Sequence, residues 1–213
     1  MKKLITLLLV IVNFTSYTQT KKEIEEYYEE IVSNTEWGGK TTPKKFHNNV
    51  KIYVKGEISK ELNDELNRIV KELNDLINTV RVVIIDDEGE ANLVIFLGSP
   101  LDYIDYRGVT SEKRKKLKNR LQYNVGYFCV RGWDNYVMES QVFLNTTRLK
   151  NDVITSKHIL REELTQALGF PNDSYKYDDS IFQQRWTEVT EYSEIDREII
   201  KLHYNKSDLS LKK

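Results

Sequence analysis

Residues 162–173 read Glu162-Glu163-Leu164-Thr165-Gln166-Ala167-Leu168-Gly169-Phe170-Pro171-Asn172-Asp173. Glu162 and Gln166 are four apart, so in a helix their side chains leave from one face, with Glu163 beside them toward the core edge. Gly169 permits a sharp reversal that carries Asn172 and Asp173 back toward the helix end. Three carboxylates and two amides thereby come within reach of one point, and three chemistries use such a set. The polar groups can be spent holding a loop and a groove together, Gln166 and Asn172 bridging backbone groups while Glu162 or Glu163 accepts from loop amides. The groove then binds a peptide by strand addition, or another envelope ligand. Alternatively, Glu162, Glu163, Asn172 and Asp173 form an oxygen-ligand metal site, a donor set that suits calcium, magnesium or manganese. In the third reading, Glu163 and Glu162 are a catalytic acid and base with separated pKa values, although adjacent helix positions diverge and make that pair awkward. The plainest alternative is a pair of solvated helix charges.

Zinc peptidases use the same spacing, His-Glu-x-x-His, to put two ligands and a general base on one helix. Glu162 stands at the first histidine position, Glu163 at the base and Gln166 at the second histidine. In the longer metzincin form the third ligand falls at Asn172, and Ser180-Ile181-Phe182 resembles the Met-turn with Phe182 in place of methionine. Ser193-x-x-Asp196 with Ile199, Leu202 and Tyr204 looks like the last metzincin helix. Taken together, these residues resemble an uncharacterised family of exported bacterial proteins, a domain of unknown function that carries Glu-Glu-x-x-Gln where peptidases carry the zinc motif. The resemblance implies a zincin-like, metzincin-like frame with structural roles for Gly169, Phe182 and Asp196. It also implies a degenerate metallopeptidase motif, hence a pseudo-enzyme or, alternatively, a hydrolase using Glu162 and Glu163 with an oxygen-ligated metal or none. One carboxylate and two amides make a poor zinc set, since a glutamine carbonyl is a weak neutral donor beside imidazole. His47, His158 and His203 read as surface or packing histidines, His158 being taken as rotated away from the Glu162 face.

The elements that must position this helix follow from periodicity. Residues 23–33 form an acidic, tyrosine-rich helix, followed by a loop over 34–46 with Trp37 as an aromatic anchor. A strand at 50–54 precedes a helix over 59–78, with Ser59 as N-cap and an apolar stripe of Leu62, Leu66, Ile69, Val70, Leu73 and Ile77. β-branched runs at 80–85 and 91–97 read as strands about an acidic turn. A basic stretch at 113–120 reads as a solvated helix face. Two further strands, 123–130 and 136–144, precede the helix over 152–168, whose apolar side is Leu160, Leu164, Ala167 and Leu168. Ser193 and Asp196 form a capping box that opens a last helix to Tyr204. Helices interleaved with strands predict an α+β (or α/β) domain: a mixed twisted sheet with the two long helices on one face and the last helix closing it.

Residues 1–18 have the layout of a signal peptide: Lys2 and Lys3, an apolar run to Val12, then small polar residues before Gln19. The expected organisation is a signal over 1–18, a helix and loop over 19–46, the zincin-like domain over 47–204 and a polar tail over 205–213. This predicts a secreted or periplasmic protein with no membrane span after cleavage. Of the 32 Lys and Arg, two lie in residues 1–18, leaving 30 against 33 acidic side chains, or −3. So balanced a surface gives no electrostatic reason for a nucleic-acid partner. Cys129 is the only cysteine, so no intrachain disulfide forms, and its strand setting reads as a packed thiol. Tyr103, Tyr106, Tyr123, Tyr127, Tyr136 and Trp133 cluster around the middle strands, where half-buried aromatics are expected.

Overall fold

The computed structural model describes residues 19–36 and 38–205. Residues 1–18, on which the signal-peptide expectation falls, Trp37 and residues 206–213 lie outside that range. Within it the elements run α1 (Lys21–Ser33), β1 (Val50–Lys55), α2 (Lys60–Leu76), β2 (Val82–Ile84), β3 (Leu93–Gly98), α3 (Pro100–Tyr106), α4 (Ser111–Leu121), β4 (Gly126–Trp133), β5 (Tyr136–Asn145), α5 (Val153–Gln166) and α6 (Glu194–Asn205). This is a mixed α/β arrangement, as the alternation of helical and strand patterns predicts.

The five strands form one sheet in the order β2-β1-β3-β5-β4. Every pairing is parallel except β4 on β5, which is antiparallel and leaves β4 at an edge. β3 lies mid-sheet and is buried along Leu93–Leu97, so its run is apolar throughout rather than alternating. On one face, α2 and α5 pack into a single core with Ile52, Ile95, Val142 and Leu144. Leu62, Leu66, Ile69, Leu73 and Leu76 supply the inward stripe of α2. Each aliphatic side chain buried in that core contributes about 1.5–3 kcal/mol. On the other face α3 and α4 cover a smaller cluster of Phe96, Tyr103, Ile104, Leu121 and Phe143.

Several details differ from the sequence expectation. α3 has no amphipathic stripe to announce it; Ser99 caps it by accepting from the Asp102 amide, with Pro100 in the first turn. β2 shrinks to three residues because Val83 and Ile84 have little to cover them at the sheet edge. Asn205 belongs to α6 rather than to a tail, since its amide donates to Leu76 O at 2.9 Å and its Oδ1 accepts from Asn78 N at 3.0 Å. Cys129 is half-buried, not fully packed, with Arg107 Nη1 at 2.9 Å from its sulfur.

α5 is fastened to α2 by a fully buried cation. Arg161 donates to Glu65 and Glu72, each at 2.8 Å, and its guanidinium lies 4.5 Å from the Tyr192 ring centre. Buried ion pairs of this kind fix register more than they add stability. The clamp orients α5 so that the face opposite Arg161 is turned to the edge strand.

Candidate functional site

α5 begins at Asp152, whose carboxylate accepts from the Thr155 amide at 3.0 Å and hydroxyl at 2.7 Å. Leu160, Leu164, Ala167 and Leu168 are fully buried and form the core side expected of them. Glu163 looks instead onto β4 at Gly126, where an added Cβ would overlap Glu163 Oε1 and Ile159 Cγ2. The absence of a side chain at Gly126 therefore lets the carboxyl lie against the strand. Past the helix, Gly169 takes φ +121°, and a Cβ there would also overlap Lys44 O. Glycine serves the reversal twice over, by its conformation and by letting the Lys44 carbonyl come close.

The reversal brings Asp173 back to the helix and meets the loop after α1. Glu36 N donates to Pro171 O at 3.3 Å. The Gln166 amide nitrogen then donates to both Glu36 Oε1 at 2.9 Å and Asp173 Oδ1 at 2.8 Å. Glu163 is 8% exposed and its Oε2 has no hydrogen-bond partner. Glu36 and Glu163 border a cleft of about 310 Å³ between the edge strand, with Gly126, Phe128 and Val130 on its wall, and the loop carrying Thr35 and Glu36.

Four carboxyls share this region, and the protons of Glu163, Glu36 and Asp173 report the crowding. Burial, then the charges of Glu162, Glu36 and Asp173, push Glu163 well above the ordinary carboxylate range. Burial first and Glu162 second raise Glu36 to about 7, against the opposing hydrogen bond from Gln166. Asp173 rises to about 8 by burial and then the charges of Glu162 and Glu36. Such clustering of displaced carboxyls inside a cleft is a mark of functional sites.

Glu162 turns toward His158, one helical turn back, with Oε2 3.3 Å from His158 Nε2. His158 is 4% exposed and shares the Glu162 face, which corrects the expectation that it is rotated away. Its Nδ1 lies 2.7 Å from Val189 O, and because a carbonyl only accepts, Nδ1 must carry the proton. Burial works against an imidazolium here, but the Glu162 hydrogen bond and charge outweigh it and raise the His158 pKa. Neither Glu162 nor Glu163 is the freely solvated helix charge of the plainest alternative; their side chains are largely buried.

Asn172 is not part of the convergence expected of it. Its Nδ2 donates to Glu30 O at 3.1 Å and to Asp173 O at 2.8 Å, tying the reversal to the end of α1. The oxygen-ligand set of Glu162, Glu163, Asn172 and Asp173 is therefore not assembled. Among the described residues no group of three or more His, Cys, Asp or Glu side chains is disposed to hold a metal ion. At the three positions where a zinc peptidase has imidazoles, Glu162 faces His158, Gln166 presents a donor nitrogen and Asn172 is bound to backbone. These residues do not fit zinc.

Asp196 lies beneath the reversal with no exposure, accepting from Ser180 Oγ at 2.6 Å, Ile181 N at 3.1 Å and Ser193 N at 3.0 Å. It fixes the 180–182 turn, whose Phe182 packs 5.6 Å from the Phe170 ring. His203 packs at the same end, accepting or donating at Tyr28 OH and reaching Lys44 O at 3.0 Å. His47 stacks on Tyr136 at 3.9 Å, away from α5.

Sequence reasoning missed Glu36 and the His158–Glu162 pair. The pair was legible from its four-residue spacing. Glu36 carried no local signal, because only tertiary packing brings it to Gln166, 130 positions later. No curated protein matches the chain. A family model does, over residues 21–207, and the chain accordingly belongs to the family described as "Protein of unknown function (DUF2927)".

Proposed function

We propose that this is an exported, zincin-like protein whose peptidase-type groove serves to bind an extended peptide without zinc chemistry. The observation that carries the reading is the open edge of β4 along the wall of the Glu163 cleft. Val125 O accepts from Asn145 N at 2.8 Å. The alternation of an antiparallel ladder then turns the main-chain groups of Tyr127 and Cys129 toward β5, and those of Gly126, Phe128 and Val130 outward. An extended peptide laid on that edge gains main-chain hydrogen bonds, while pockets behind it read alternate side chains. The order of the strands, the single antiparallel edge and the Glu-Glu-x-x-Gln helix behind it support a zincin-like frame. The signal-like residues 1–18 support export.

The test is a panel of extended peptides titrated into the mature protein, each also made with single backbone N-methyl groups. Strand addition predicts that methylation at alternate positions abolishes binding and that the amide resonances of Gly126, Phe128 and Val130 shift. Binding indifferent to every N-methyl group, or shifts confined to another surface, would overturn the reading. Peptide cleavage lost in Glu163→Gln would favour the hydrolase alternative instead.

A further inference from the structure

Two features of the cleft remain unaccounted for by strand addition alone. First, negative charge is in excess: Glu36 and Asp173 both accept from one neutral amide, Gln166 Nε2, Glu163 lies close enough to feel both of their charges, and against them stands the charge of Arg120, which bears on Glu36. Lys44 Nζ donates to Asp134 O at 2.7 Å and Thr42 Oγ1 at 3.1 Å, and the Arg120 guanidinium lies 5.9 Å from the Tyr127 ring centre. Second, the Glu163 side chain is more than nine-tenths buried on the cleft wall with Oε2 unpartnered. A buried acceptor left without a donor costs about 1–3 kcal/mol, so its retention needs a reason.

We propose that the cleft is a socket for a basic side chain of the bound peptide, its cationic head received by Glu163 and Glu36, with the nearby Asp173 carboxyl adding to their charge. The inference rests on the peptide-binding reading and names the side chain that the groove selects. A guanidinium fits the arrangement chemically. It offers five donors in a plane to the Glu163 and Glu36 carboxyls on the cleft wall, and its stem would lie along Pro171, Phe128 and Val130. A divalent metal fits less well, since Gln166 presents a donor rather than an oxygen to the centre of the cluster.

The experiment titrates N-acetyl-arginine amide, N-acetyl-citrulline amide and calcium chloride separately into the mature protein, read by amide chemical shifts. These small probes have too little main chain to add a strand, so they report on the socket alone. The expected result is saturable binding of the arginine probe at Gly126 and Glu163, about tenfold or more weaker for citrulline and for Glu163→Gln. Glu36→Gln, remote from the strand contact, should show the same direction of loss. Equal response to arginine and citrulline, no response to arginine, or saturable calcium binding in its place each overturns the socket. Extended peptides that shift β4 with no preference for a basic residue would sink the socket while sparing the strand-addition reading. Arginine-probe binding combined with no peptide binding would do the reverse.

Discussion

Two buried carboxyls stand at the same end of the molecule and differ in one respect. Asp196 receives three hydrogen bonds, from Ser180, Ile181 and Ser193, and burial raises it only to about 6 because those bonds oppose the loss of water. Glu163 is also buried, at 8% exposure, but has an oxygen with no donor at all, beside three further carboxyls. The lesson is that burial alone does not separate the two acids; their hydrogen-bond partners do. A saturated carboxylate holds a turn in place, and an unsaturated one on a cleft wall is what the proposed socket draws on.

The largest effect expected from breaking this contrast is at Asp196. Asp196→Ala leaves the Ile181 and Ser193 amides without their acceptor and takes one partner from the Ser180 hydroxyl, and should cost about 2–4 kcal/mol. A urea midpoint lowered at unchanged m-value would register it; a loss below about 1 kcal/mol would erase the distinction. Gly126→Ala comes next, because the added methyl must displace Glu163 Oε1 and Ile159 from the strand. About 1–3 kcal/mol of stability should go, together with the response of the Glu163 amide to the arginine probe. Unaltered stability and probe response would show that α5 retreats freely from β4.

Glu163→Gln should act in the opposite direction. Glu36, Glu163 and Asp173 have pKa values above those of the unfolded chain, so the folded protein holds more protons between about pH 4 and pH 8. Stability from these groups is present at low pH and is lost as pH rises through that window. The raised His158 works in the same sense. His203 works oppositely, since burial lowers it to about 3 and its contribution is lost as pH falls below 6.5. Above pH 6.5 the cluster and His158 dominate, so the melting temperature should decline toward pH 8.5. Glu163→Gln should flatten that decline and add about 1 kcal/mol at pH 8. Calorimetry across the range decides, and a variant with the same slope as wild type would count against the crowding. The smallest change is Glu162→Gln, within about 1 kcal/mol in stability. It leaves burial as the leading influence on His158, whose titration followed by NMR should move downward; an unmoved midpoint would exclude the pair as its cause.

The sequence carried more of the frame than of the site. Heptad-like spacing in Leu62, Leu66, Ile69 and Leu73 specified α2, and the Ser193–Asp196 capping box marked the start of α6. Gly169 marked the reversal, and helical spacing put Glu162, Glu163 and Gln166 on one helix without saying which of them meets the cleft. Those features are local, because helix period, caps and positive-φ glycines act within a few residues. α3 escaped notice for the complementary reason: seven residues are too few to display a period.

What the chain determined by itself, then, is its list of elements and the presence of unusual polar residues on α5. Which of those residues share a site was decided in three dimensions. Asn172 stood within a few residues of the others yet bonds α1, whereas Glu36, on a loop near the other end of the chain, shares the Gln166 amide with Asp173. Arg161 likewise shows no pattern in sequence, but its burial between Glu65 and Glu72 sets the rotation of α5 that aims Glu163 at β4. The physical reason is common to all three. A side chain's hydrogen-bond partner and its dielectric surroundings come from whichever elements pack on it, and packing joins residues regardless of their separation along the chain.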